Sequence, residues 1–171
     1  MAYSYSYYKQ EVRNYLINMF DSKSKVLDVG AGEGTYYELL KDHFKLIDAV
    51  EVFKPNIIKY NLKRKYHKVY NINIKDFKYE YYDLIIFGDI IEHLEVEEAQ
   101  KVLEYAYNHC KDMIVAVPYE LEQGIEDNNI YEIHKQADLT HEIVLERYPY
   151  LKLLYKNDIY GYYRKGDKNA I

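Results

Sequence analysis

The chain has no tryptophan, one cysteine and only seven glycines in 171 residues. A lone cysteine, Cys110, leaves no partner for an intramolecular disulfide and fits a reducing compartment. No apolar run approaches the roughly 20 residues that span a bilayer, and no signal-peptide-like stretch follows Met1. The expectation is a soluble cytoplasmic protein without a membrane partner. Basic side chains are also in deficit, 23 against 28 acidic ones, for a net charge of −5. Such a balance offers no surface for duplex nucleic acid, so a small-molecule partner is expected. Composition leaves the oligomeric state open.

Tyrosine is what the chain has in excess, 23 residues. It packs as a large apolar body with one polar end, and beside the many Lys, Ile and Asn residues it reads as a composition bias. The N-terminal group Tyr3, Tyr5, Tyr7 and Tyr8 is nevertheless placed to line a substrate mouth, with Tyr7 as an acceptor contact.

The scarce glycines are concentrated. Gly30, Gly32 and Gly34 follow the run Val26-Leu27-Asp28-Val29 at alternate positions, and helix-like sequence begins at Thr35. Glycine permits positive φ and puts no Cβ between the main chain and a ligand. A strand, a tight turn and a helix start in so few residues describe a ligand-binding loop of an α/β sheet. A dinucleotide fingerprint would need its third glycine at position 35, where threonine stands, and a phosphate loop would need Gly-Lys-Ser/Thr.

Periodicity predicts a helix over 8–20, a strand over 25–29 and a helix to about 42. A strand over 46–50 ends at Glu51, and a helix starting near Pro55 runs to about 65. Strands are expected at 68–71, 83–87 and 113–117, with one long amphipathic helix over 92–109. Residues 119–140 are polar and aperiodic and read as a loop over the sheet, the kind that is commonly functional. A helix over 139–148 with Thr140 as N-cap and a hairpin of 151–155 with 159–164 close the chain. Alternating strands and helices give an α/β domain, doubly wound about a mostly parallel sheet.

The pattern Asp28-x-Gly30-x-Gly32-x-Gly34 resembles motif I of the class I S-adenosylmethionine-dependent methyltransferases. The resemblance implies one domain over 1–171 with a seven-stranded sheet, order 3-2-1-4-5-7-6, and an antiparallel last strand. It implies an N-terminal helical lid over 1–21 and an acceptor-side loop over 119–140. S-adenosylmethionine would be held by Asp28, Gly30, Ala31, Gly32 and Gly34, by Glu51 on its ribose with Val52 alongside, and by Gly88. Asn73 and Ile74 fall at the adenine position, with asparagine where the family often has aspartate, and Asp76 competes for that role.

The fourth strand leads into Gly88-Asp89-Ile90-Ile91-Glu92-His93-Leu94, which looks like the family's motif IV and a common helix start. Spacing of i, i+3 and i+4 would put Asp89, Glu92 and His93 on one helix face near the transferred methyl. They would shape the pocket, or His93 or Asp89 would serve as general base. A third possibility follows from similarity to metal-dependent O-methyltransferases of ubiquinone biosynthesis and of small-RNA ends. There Asp89, Glu92, His93 and His134 would hold a divalent Mg, Mn or Zn ion, although Asp89 is shorter than the usual glutamate. Tyr119, Glu120, Gln123 and His134 are expected at the acceptor, and His109 and His141 on helix surfaces. The expected activity is O-methylation of a small-molecule or sugar-like acceptor. The alternatives are a metal-dependent RNA-end ribose methyltransferase and a cofactor-binding subunit without catalysis.

Overall fold

The computed structural model describes residues 5–166, so Tyr3 lies outside the described part. One seven-stranded sheet has the order β3-β2-β1-β4-β5-β7-β6. β1 (Lys25–Val29), β2 (Leu46–Val50), β3 (Lys68–Tyr70), β4 (Tyr82–Gly88) and β5 (Cys110–Pro118) are parallel. β7 (Tyr160–Lys165) is antiparallel to both β5 and β6 (Leu151–Lys156). Class, strand order and the antiparallel end all match expectation.

The central strands are mostly apolar on both sides because both faces are covered. Leu84 and Ile86 of β4 enter one core with Val12 and Leu16 of α1 (Lys9–Met19) and Tyr36 and Leu40 of α2 (Thr35–Leu40). Ile85 and Phe87 enter the other with Val102 and Leu103 of α5 (Val96–Asn108) and Val144 of α6 (His141–Arg147). Each such side chain contributes about 1.5–3 kcal/mol by leaving water. Cys110 sits in the second core, and burial pushes its thiol up to about 12. No helix among the described residues is long and apolar enough to cross a membrane.

Two expected helices are divided. Residues 54–65 form α3 (Lys54–Lys59) and α4 (Leu62–Lys65), separated by Asn61 in the left-handed conformation that asparagine tolerates. Residues 92–109 divide where it matters most. Ile91–His93 make a single 3-10 turn, Leu94 is extended, and α5 begins only at Val96. The cause is a capping box, in which the Glu95 carboxylate accepts from the Glu98 N–H and that of Glu98 from the Glu95 N–H. Asp89 itself has φ +56°. Asp89, Glu92 and His93 therefore do not share a helix face. Nor are His109 and His141 bare surface residues: His109 stacks on Tyr105, and His141 Nδ1 lies 3.0 Å from the Tyr163 hydroxyl.

Thr140 does cap α6, accepting from Ile143 N. Tyr119 continues the alternation of Met113, Val115 and Val117 into the core under α5 and α6, where its hydroxyl meets that of Tyr163. β7 passes this contact at Gly161, where a Cβ would stand 1.9 Å from the Tyr119 hydroxyl oxygen. Gly161→Ala is expected to cost about 1–3 kcal/mol in urea denaturation. A cost under about 0.5 kcal/mol would show that Tyr119 yields freely.

Candidate active site

The C-terminal ends of β1, β2 and β4 border the site. Gly30, Gly32 and Gly34 have φ of +70°, +52° and +90°, so each glycine occupies a left-handed position that an L side chain strains to adopt. The loop they form folds back on the end of β2. Gly30 N and Ala31 N both donate to Val50 O, at 2.8 and 3.2 Å. Gly32 N donates to Glu51 Oε2 at 2.8 Å, and Glu51 Oε1 accepts from Phe53 N at 2.8 Å.

A cleft of about 360 Å³ runs along these strand ends. Its inner half is lined by Gly30, Ala31, Gly32, Glu51 and Val52, with Asn73 and Ile74 following β3 and Gly88 ending β4. Eight of the ten residues expected at the cofactor are therefore together. Gly34 is not on the cleft wall; it caps α2 and donates to Ala31 O. Asp28 is not on it either, being buried with Oδ2 accepting from the Tyr66 hydroxyl. Burial raises its carboxyl to about 7, against the Tyr66 hydrogen bond and the charge of Lys9. Asn73 holds its own turn by accepting from Lys75 N, whereas Asp76 is exposed and off the cleft.

The outer half lies between the Ile91–His93 turn and residues 119–140. Asp89 Oδ1 accepts from the Tyr160 hydroxyl at 2.6 Å. Glu92 is 1 % exposed, and neither carboxyl oxygen has a hydrogen-bond partner among the described residues. His93 Nδ1 lies 3.4 Å from Ile133 O and His134 Nδ1 lies 2.7 Å from Leu121 O. A carbonyl only accepts, so each ring carries its proton on Nδ1 and keeps a lone pair on Nε2. The two rings meet edge to face, 4.7 Å between centroids. Glu92, His93 and His134 each offer one ligand atom within 4.8 Å of the others. Asp89 is outside this set. Burial, then the neighbouring His134, lowers His93 to about 4, and burial also lowers His134. Glu92 is held well above the carboxylate range by burial and by Asp89.

The loop supplies residues that periodicity gave no reason to choose, Leu121, Glu126, Asn129, Tyr131 and Glu132, beside the expected Gln123. The Glu132 carboxylate accepts from Asn129 Nδ2 at 3.0 Å and Gln123 Nε2 at 3.3 Å. Of the N-terminal tyrosines, Tyr5 lines the cleft; Tyr7 stacks behind it, 40 % exposed and off the wall. Tyr119, turned into the core, and Glu120, exposed, are off the wall too.

Asp28 generates a test. Its folded pKa lies above the unfolded value, so its contribution to stability is present while it is protonated and is lost as pH rises from 3.8 to about 7. Glu51 and Glu92 are shifted in the same direction. Thermal stability of the ligand-free protein is expected to decline across that window, and Asp28→Asn to flatten the decline. A variant profile as steep as the wild type's would remove Asp28 as a source.

A family model described as "Methyltransferase domain" matches residues 1–138. No curated protein matches the chain in sequence. Among solved structures, an S-adenosylmethionine-dependent methyltransferase from Clostridium acetobutylicum superposes with a TM-score of 0.73 at 14% identity, over 96% of this chain and 93% of that one. The N-methyltransferase NodS from Bradyrhizobium japonicum, bound to S-adenosyl-L-homocysteine, gives 0.65 at 14%, over 94% and 89%. Magnesium protoporphyrin IX methyltransferase from Synechocystis, bound to S-adenosylmethionine, gives 0.65 at 12%, over 91% and 76%. With its seven-stranded sheet, its glycine loop and a family match over most of its length, the chain belongs to the methyltransferase-domain family.

Proposed function

We propose that the protein transfers the methyl group of S-adenosylmethionine to an oxygen of a small-molecule or sugar-like acceptor. The inner half of the cleft supports the cofactor: backbone free of Cβ atoms at Gly30 and Gly32, a carboxylate at Glu51 for the ribose, and Asn73 with Ile74 for the adenine. The observation that carries the choice of oxygen is the pair of imidazoles, whose Nε2 lone pairs are left open in the outer half. Methyl transfer is an in-line displacement, so the protein acts chiefly by aligning the acceptor against the sulfonium methyl. Asp89 and His93 border the place where that oxygen would lie. Tyr5 on the wall supports a covering role for the N-terminal segment.

One observation favours a second reading of the same residues. A base near pKa 4, as His93 is, takes a hydroxyl proton poorly. An imidazole kept neutral, with Nδ1 anchored on a carbonyl, is instead in its metal-ligating state. Glu92, His93 and His134 fit a divalent ion, and the nitrogen-rich set suits zinc better than magnesium or manganese. When bound, such an ion would acidify an acceptor hydroxyl. Asp89, expected as a fourth ligand, would instead keep its bond to Tyr160.

Calorimetry is expected to show S-adenosylmethionine binding that Gly32→Val weakens at least about a hundredfold, since valine resists positive φ. An acceptor panel followed by S-adenosylhomocysteine release then identifies the substrate. Wild-type protein that does not bind the cofactor would defeat the proposal. Loss of turnover in EDTA, matched by His134→Ala, supports the ion; full turnover in EDTA leaves the imidazoles as bases.

A further inference from the structure

We propose that the acceptor carries an amine as well as its hydroxyl, the ammonium docking against Glu92 and Glu132, and that anionic acceptors are turned away. This rests on the methyl-transfer reading above and names its substrate class.

The cleft wall includes Glu51, Asp89, Glu92, Glu126 and Glu132, and no lysine or arginine among its described residues. Glu51 and Asp89 each have a local answer. Glu51 receives the N–H groups of Gly32 and Phe53. Asp89 receives the Tyr160 hydroxyl and feels the ammonium of Lys9, which lies 4.1 Å over the Tyr36 ring and is not part of the wall. Glu92 has no such answer: it is 1 % exposed, and both oxygens lack a partner. Glu132 is near enough to act on it electrostatically and accepts from the neutral amides of Asn129 and Gln123. The open Nε2 atoms of His93 and His134 add two further acceptors.

The wall is rich in carboxyl acceptors and holds no cationic donor among its described residues; its side-chain donors are neutral hydroxyls and amides, such as those of Thr35, Tyr36, Asn73 and Tyr131. A buried carboxyl without a donor is costly, and a ligand that donates removes the cost. An ammonium brings three N–H donors and a positive charge. A carboxylate or phosphate brings only acceptors and a repelled charge. An RNA end, whose phosphates require cationic partners, does not suit this wall. An amino-bearing hydroxyl compound, such as an amino sugar or a phenolic amine, does.

The test uses full-length protein saturated with S-adenosylhomocysteine, in EDTA, with three probes that share one phenol. These are meta-hydroxybenzylamine, meta-hydroxybenzyl alcohol and meta-hydroxybenzoate, titrated by calorimetry or ligand-observed NMR. The amine is expected to bind at least about tenfold more tightly than the alcohol, and the benzoate not measurably. Glu92→Gln and Glu132→Gln are each expected to lower amine affinity about five- to tenfold while S-adenosylhomocysteine affinity stays within about twofold. The second variant serves if the first does not fold. Equal affinities, preference for the benzoate, absence of amine binding, or variants that bind the amine unchanged would each overturn the proposal. Manganese binding without amine binding would assign the wall to an ion instead, and equally overturn it. Failure of S-adenosylhomocysteine to bind would show separately as loss of the cofactor assignment, taking this inference with it.

Discussion

The hydrogen bond from Gly32 N to Glu51 Oε2 is the contact on which the inner site depends. Three left-handed glycines make a loop that has conformational freedom to spare, and something must fix it. Glu51, at the end of β2, does so while also holding Phe53 N at the start of the next helical segment. A carboxylate with two backbone donors makes charge-assisted bonds, about twice as strong as neutral ones. Burial raises its pKa and the two N–H groups pull it back. The group proposed to receive the ribose therefore already organises the loop before any ligand arrives. Less ordering is then left to oppose binding.

The outer half is assembled differently. Its turn and its loop are joined through Gln136, which is 2 % exposed. The amide nitrogen of Gln136 donates to Ile91 O and Leu94 O, the carbonyls flanking Glu92 and His93. Its oxygen accepts from Arg147 Nη1 and the Tyr148 hydroxyl. The backbone N–H groups of Lys135 and Gln136 both donate to Glu92 O. His134, just upstream, is thereby held in register with His93. Turn and loop are thus joined by bonds between residues distant in sequence, centred on one buried amide, where the inner half is a backbone loop pinned by the Glu51 carboxylate.

That difference explains what was legible in the sequence. Positive φ leaves a mark, because glycine is the residue that meets it cheaply, so Gly30 and Gly32 could be chosen from spacing, while the strand-end Glu51 came from resemblance. Strand order came from resemblance, and the aliphatic runs supported the sheet. The long helix over 92–109 was misread because its hydrophobic repeat is genuine from Val96 onward, while the Glu95–Glu98 capping box sets the start without disturbing that repeat. Asn129 and Glu132 are tied by a local contact, Asn129 capping the 130–132 turn and donating to the Glu132 carboxylate, a signal passed over because a single 3-10 turn leaves no hydrophobic repeat. Tyr119 was placed at the acceptor because it follows β5, yet strand alternation sends it to the core.

Tyrosine, read first as composition bias, has a structural part in how this fold carries buried acid. Buried Asp28 and Asp48 and half-buried Asp89 each accept a phenol hydroxyl, from Tyr66, Tyr82 and Tyr160, and Gln136 accepts another from Tyr148. A buried polar group left without a partner costs about 1–3 kcal/mol. A tyrosine meets that need while still filling the core as an aromatic body. Glu92 stands next to this system and lacks such a phenol. Buried Glu51 takes backbone N–H groups in place of a hydroxyl; Glu92 has no donor among the described residues and lines the cleft, where a ligand can supply one.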